Sequence, residues 1–272
     1  MEQAPPAPDA ITTWKDFTRL VRSRGCHLLR RLDEFPHAVL VAGCQRSGTT
    51  ILARVITQSA GMVNYWFGDD DELDAALILS GSIAHTPSGR YCFQTTFVDE
   101  CYREYLEHPG PFQIAWVIRN PHSVVYSLLY NWTPIGLDGT FAKCGAFQLT
   151  GIKKYLYQWF GMKALPRVER ACYLYTAKTR QLFDLFQALG PERLFIVDYD
   201  ELVTHKETVL PQIYDFIKLD YNPTYCQQIH SKSVDKKSKL SASENAAITR
   251  IAEPIYRQAF DLKNKHMPAI AA

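Results

Sequence analysis

The chain predicts an α/β fold, a central parallel sheet with helices on both faces, and three observations carry that prediction. Short apolar runs at 38–43, 113–118 and 193–198 read as strands buried on both sides. Helical periodicity fills the stretches between them, as βαβ units require. The first strand runs straight into a glycine loop and then a helix, Gly43-Cys44-Gln45-Arg46-Ser47-Gly48-Thr49-Thr50. That order aims backbone N–H groups and a helix N-terminus at an anion.

The elements follow in order. Residues 1–12, rich in Pro and Ala at their start, are expected to be disordered, and 13–272 to form one domain. A helix is expected over 13–36, with Trp14, Phe17, Leu20 and Val21 on one side and Lys15, Arg19, Arg22, Arg24, Arg30 and Arg31 making it basic. It reads as a helix laid over the domain with a solvated basic face, a membrane-surface helix being the alternative. A further strand is expected at 91–97. Helices are expected near 50–59, 70–80, 98–107, 122–131, 152–163, 167–189, 206–218 and 244–262. Residues 132–150 mix aromatics with glycine and read as a loop, either a substrate-facing one or a plain connector.

Composition excludes several classes. With 272 residues, 47% hydrophobic and 21% charged, the chain can bury a core without disulfides or metals. A net charge of +2 without a basic stripe argues against nucleic acid. The seven cysteines (Cys26, Cys44, Cys92, Cys101, Cys144, Cys172 and Cys226) are odd in number and form no CxxC, which suits a reduced compartment. No run approaches the roughly 18–20 apolar residues of a membrane span. The opening residues lack the basic and apolar pattern of a signal peptide, so a cytoplasmic location is expected.

The glycine loop is P-loop-like with one departure. Its spacing satisfies a Walker A loop, but Thr49 stands where the lysine belongs, and the cation, Arg46, lies inside the loop. Without that lysine a transferring γ-phosphoryl group is poorly stabilised. Arg46-Ser47-Gly48-Thr49-Thr50 after an apolar strand resembles the 5′-phosphosulfate loop of sulfotransferases that use 3′-phosphoadenosine 5′-phosphosulfate (PAPS). A second segment, Ile114 to Ser127, resembles the 3′-phosphate motif of that family. There an arginine ending a strand and a serine eight residues on hold the phosphate, here Arg119 and Ser127. Pro121 suits a first helical turn, and a guanidinium grips phosphate bidentately.

Two softer matches extend the resemblance. Phe195–Leu202 is similar to the family segment whose tyrosine packs on adenine, which makes Tyr199 the candidate, although the same stretch satisfies a Walker B pattern ending at Asp198. Ser231–Lys239 lies where family members place a basic loop over the 3′-phosphate, which nominates Lys236, Lys237 and Ser238. The resemblance implies PAPS as co-substrate, a small-molecule acceptor and no metal.

The catalytic base departs from the pattern. Cytosolic members carry Lys-Thr-His before the 3′-phosphate motif, and this chain has Gln94-Thr95-Thr96. Other branches use a carboxylate soon after the first helix, which points to Asp70, Asp71 or Glu72 in the run Asp69–Glu72, with His85 as the lesser candidate. The same acids also suit a helix N-terminus. Arg46 is expected to stabilise the leaving group. The acid cluster would favour an acceptor bearing an amine or guanidinium, with Tyr65, Trp66, Phe67 and Trp132 as apolar walls. Bacterial enzymes acting on guanidinium alkaloids such as saxitoxin relatives look similar in layout. The rival readings are a P-loop kinase of a nucleotide or small metabolite, and a non-catalytic nucleotide-binding module. Oxygen versus nitrogen as acceptor and the oligomeric state stay open.

Overall fold

Four strands form the sheet, and the computed structural model describes residues 11–23, 25, 27–97, 102–108, 110–230 and 236–268. The segment 1–10, Arg24, Cys26 and Cys101 therefore lie outside the described residues, as does 231–235 of the expected basic loop. The strands are β1 (Val39–Gly43), β2 (Cys92–Gln94), β3 (Gln113–Ile118) and β4 (Leu194–Asp198), in the order β2-β1-β3-β4. Every pairing is parallel, with Val39 opposite both Cys92 and Gln113, and Ile118 opposite Asp198. All residues of β1, β2 and β4 are buried, as are all of β3 but Gln113, and this burial explains why β1, β3 and β4 read as apolar runs.

The helices are α1 (Trp14–Ser23), α2 (Thr49–Thr57), α3 (Asp71–Leu79), α4 (Tyr102–Glu107), α5 (Pro121–Tyr130), α6 (Pro134–Lys143), α7 (Gly151–Phe160), α8 (Arg167–Leu189), α9 (Tyr199–Thr204), α10 (Lys206–Phe216), α11 (Ala242–Ile251) and α12 (Glu253–His266). β1 leads through α2 and α3 to β2 on one side, and the chain then crosses back to β3 on the other side of β1. The carboxyl ends of β1 and β3 thus flank the point where the strand order reverses, the usual ligand crevice of such sheets.

Local chemistry sets the helix starts around that crevice. Asn120 caps α5, its side chain accepting from the His122 N–H at 2.9 Å, with Pro121 in the first turn. Asp70 caps α3 by accepting from the Glu72 and Leu73 amides at 3.1 and 3.2 Å.

Three expectations are corrected. The N-terminal helix stops at Ser23 rather than reaching residue 36, and a short 3₁₀ turn follows at Leu32–Glu34. The segment 132–150 is mostly helical: Thr133 caps α6 by accepting from the Gly136 amide at 3.0 Å, and Pro134 opens the helix. The expected helix 244–262 is two helices that meet at Ala252 and Glu253.

Candidate active site

The loop between β1 and α2 has a shape that side chains dictate. Gly43 lies at φ 147°, and a Cβ there would meet the Val117 carbonyl oxygen at 2.5 Å, so β1 and β3 approach as closely as they do only with glycine. Gly48 lies at φ 104°, and a Cβ there would fall 2.1 Å from the Tyr199 ring. Arg46 adopts the left-handed region at φ 70°, a costly conformation for a side-chain-bearing residue that is held at functional loops. The Ser47 hydroxyl is buried and donates to the Cys44 carbonyl at 2.6 Å. Ser47 therefore fixes the loop from inside rather than presenting its hydroxyl to a ligand.

A cavity of about 1190 Å³ opens over this loop. One end gathers cations. Arg46 donates from Nε to the Ser127 hydroxyl at 3.0 Å, which joins the two sequence motifs directly. Arg119 is buried at the end of β3, lies 4.2 Å from the Tyr199 ring centre, and has Asp200 3.7 Å away. Burial pushes its guanidinium below the usual arginine value, against the pull of Asp200. Lys236 lines the same end, and burial together with the charges of Arg119, Lys239 and Arg46 lowers its ammonium. A group of like charges crowded this way is relieved by an anion.

The expected ligands separate here. Arg46, Gly48, Thr49, Thr50, Arg119, Ser127, Tyr199 and Lys236 all line the cavity. Lys237 and Ser238 are exposed and lie off its wall. Tyr199 packs between Gly48 and the Arg119 guanidinium, so its ring holds the loop against that arginine. Asp198 points elsewhere: it caps α9 through the Glu201 amide at 3.0 Å and accepts from the Tyr256 hydroxyl at 2.9 Å. Burial raises it to about 6.

The acid cluster divides into separate jobs. Asp70 caps α3 and accepts the Trp14 indole N–H at 2.8 Å. Asp71 is buried and pairs with Arg54 Nε at 2.8 Å. Glu72 faces the end of the phosphate loop, accepting from Gln94 Nε2 at 3.0 Å and from the Thr96 hydroxyl. The same Gln94 nitrogen donates to Thr50 Oγ1 at 3.0 Å, so the carboxylate lies one side chain from the start of α2. Burial raises Glu72 from 4.5 to about 7; the Thr96 hydrogen bond and Lys178 oppose the rise, while the charges of Asp70 and Asp71 add to it. His85 is not part of the cavity wall and is hydrogen-bonded to the Tyr91 hydroxyl at 3.2 Å.

One contributor was not foreseen, and a second, the segment expected as a substrate-facing loop or a connector, enters as a helix. Lys178, on α8, is buried and donates to the Thr96 carbonyl, which also accepts from Gln45 Nε2 at 3.0 Å. Nothing in the α8 pattern marks it, because a lysine in a long helix ordinarily reads as solvated. α6 supplies Ile135, Gly136, Gly139, Thr140 and Lys143 to the wall. The Thr133-Pro134 pair was its available signal, an N-cap followed by proline at the first helical position.

The apolar walls also differ from expectation. Tyr65 is buried and donates to the Asp71 carbonyl, Trp66 stacks near Arg54 at 5.7 Å, and Phe67 is exposed. Trp132 does line the cavity, joined by Trp14, Phe17, Phe97 and Ile135. Among the described residues no group of three His, Cys, Asp or Glu side chains is placed to hold a metal, and no helix is long and apolar enough to cross a membrane.

No protein-family model and no curated protein matches the chain. Solved structures do. The sulfotransferase domain from the curacin biosynthetic pathway aligns with a TM-score of 0.52 and 14% identity, covering 86% of this chain and 100% of that one. A sulfotransferase from Alicyclobacillus acidocaldarius aligns with a TM-score of 0.50 and 13% identity over 84% of this chain and 96% of its own. The α/β architecture built around the β1–α2 loop is thus the fold of the sulfotransferases.

Proposed function

We propose that this protein transfers a sulfuryl group from PAPS to a small acceptor, with Glu72 as the general base. The observation that carries the reading is the joining of two features in one cavity: a cation-lined anion pocket built by the β1–α2 loop, and a carboxylate poised near neutrality beside it. Arg119, Ser127 and Lys236 would hold the 3′-phosphate. The amides at the start of α2, Arg46, and the hydroxyls of Thr49 and Thr50 would hold the 5′-phosphosulfate. Tyr199 supports this pocket by locking Gly48 over Arg119.

In the transfer, the acceptor oxygen or nitrogen forms a bond to sulfur as the bond from sulfur to the phosphate oxygen breaks. The proton lost by the acceptor passes to the Glu72 carboxylate, which is ionised above about pH 7. Charge left on the 5′-phosphate is met by Arg46 and the α2 N-terminus. The loop carries its own cation, Arg46, so no step calls for a metal.

The acceptor reading changes in one respect. Asp70 and Asp71 are engaged in capping and ion pairing, and Lys15, Arg19 and Lys143 line the cavity with Trp14, Phe97 and Ile135. That lining suits a neutral, largely apolar hydroxyl or amine better than a guanidinium alkaloid. A kinase reading is disfavoured by Asp198, which is committed to α9 and Tyr256 rather than to a metal site.

The test is thermal stability with adenosine 3′,5′-bisphosphate beside ADP and ATP with magnesium. A ligand at a hundred times its Kd stabilises by about 2.7 kcal/mol. Stabilisation by the bisphosphate alone supports the donor assignment. A larger shift with ATP and magnesium overturns it in favour of a kinase.

A further inference from the structure

Asp200, in the first turn of α9, stands beside the arginine that follows β3, and its two carboxylate oxygens do different things. Oδ2 accepts the backbone N–H of Asn120 at 3.2 Å, which pins the carboxylate to the residue next to Arg119. Oδ1 lies 3.7 Å from Arg119 Nε, too long for a hydrogen bond. That oxygen is buried and accepts no hydrogen bond among the described residues. Asp200 is not part of the cavity wall, whereas Arg119 is. The carboxylate can therefore reach a bound ligand only through the field it shares with Arg119.

Other contacts hold Arg119 in position. Its Nη1 donates to the Arg46 carbonyl at 3.4 Å, its guanidinium lies 4.2 Å from the Tyr199 ring centre, and its own carbonyl accepts from the Tyr175 hydroxyl at 2.8 Å. What Asp200 supplies is charge balance. Arg119 is 4% exposed, and Asp200 leads the charges that favour its ionised form, ahead of Tyr199 and Asp198, with Arg46 opposing them. A buried cation stripped of its partner is costly. A phosphate arriving from the cavity supplies a second anion to the same guanidinium, and phosphate and carboxylate then repel each other across it.

We propose that Asp200 is a resident counter-ion that competes with the nucleotide's 3′-phosphate for Arg119 and so limits how tightly the spent donor is held. With the cavity empty, the carboxylate compensates the buried guanidinium. With nucleotide bound, the same carboxylate weakens the grip on the 3′-phosphate, which the donor keeps through sulfuryl transfer, and thereby speeds release of the product. The inference rests on the assignment of the 3′-phosphate to Arg119.

The test is calorimetric titration of wild type and Asp200→Asn with adenosine 3′,5′-bisphosphate and with adenosine 5′-monophosphate, which lacks the 3′-phosphate. Asparagine keeps an oxygen for the Asn120 amide and removes the charge; Asp200→Ser serves the same purpose if the asparagine variant does not fold. The variant is expected to bind the bisphosphate about tenfold more tightly, mainly through slower dissociation in stopped flow, and the monophosphate as wild type does. Without ligand it is expected to melt below wild type, because Arg119 has lost its counter-ion. A merely structural role would lower the melting temperature and leave the bisphosphate no tighter. In an Arg119→Ala background the substitution should not alter bisphosphate affinity. If wild type prefers the bisphosphate but the variant binds it no more tightly, or if the gain persists without Arg119, the proposal is overturned and the 3′-phosphate assignment stands. Wild type that binds the two nucleotides alike overturns that assignment, and the proposal with it.

Discussion

Glu72→Gln should inactivate the protein and stabilise it at the same time, and the pH at which each effect appears is fixed by the structure. The carboxyl's folded value of about 7 against an ordinary 4.5 means the folded state holds its proton more tightly than the unfolded chain does. Below pH 4.5 the group is protonated in both states and costs nothing. As pH rises, stability is lost, and the loss is complete above about 7. The gap corresponds to about 3 kcal/mol as an upper figure. Glutamine keeps the Gln94 contact through its oxygen and donates to the Thr96 hydroxyl, with no charge to desolvate. At pH 8 the variant should therefore melt about 6 °C above wild type, and at pH 5 the two should nearly coincide. Sulfuryl transfer should fall by about 10²–10⁴, and the rise in kcat/KM through pH 7 should vanish. Calorimetry at the two pH values and an assay of adenosine 3′,5′-bisphosphate release read both effects. A variant that melts below wild type at pH 8, or that keeps its rate, refutes the assignment of Glu72.

Other perturbations separate the remaining parts. Arg119→Ala should weaken adenosine 3′,5′-bisphosphate by about 1.5–3 kcal/mol, read by calorimetric titration, with Arg119→Lys recovering only part of it. Gly48→Ala should cost about 2 kcal/mol or more of stability in denaturant unfolding, because its Cβ would enter the Tyr199 ring at a φ of 104°. Lys178→Met should move the rising limb of the pH–rate profile upward, since Lys178 is one of the charges holding Glu72 down. A chelator should leave activity unchanged; loss of rate would show that Arg46 and its neighbours do not suffice without a metal.

β1, β3 and β4 were legible because each lies in a parallel sheet with both faces covered, so burial writes itself as an apolar run. The phosphate loop was legible because its glycines answer a steric demand, at Gly43 against Val117 and at Gly48 against Tyr199. Arg119 and Ser127 followed from a strand end and a Pro-opened helix, both local signals. What sequence alone missed depends on contacts between distant segments. Lys178 reaches Thr96 across 82 positions, and no periodicity on α8 separates a lysine buried against the sheet from one in water. The cavity role of Trp14 depends likewise on where Asp70 and Phe97 come to lie.

The acid run shows how one sequence feature can hold three answers at once. Four adjacent carboxylates read alone suggest mutual repulsion and a field for cations. In the fold, α3 begins inside the run, so successive residues leave it in different directions. Asp70 turns back to the helix amides, Asp71 toward Arg54 on α2, and Glu72 toward the loop. Two of the three thereby gain partners that favour their charge, while Glu72 gains hydrogen bonds but is buried enough to be raised to about 7. Repulsion from Asp70 and Asp71 contributes to that rise, but burial is its main cause. The distinction is testable: Asp70→Asn should lower the pH–rate limb only slightly, because burial and not the Asp70 charge is the main cause of the rise. A large drop would show that charge in the cluster, and not desolvation, tunes the base.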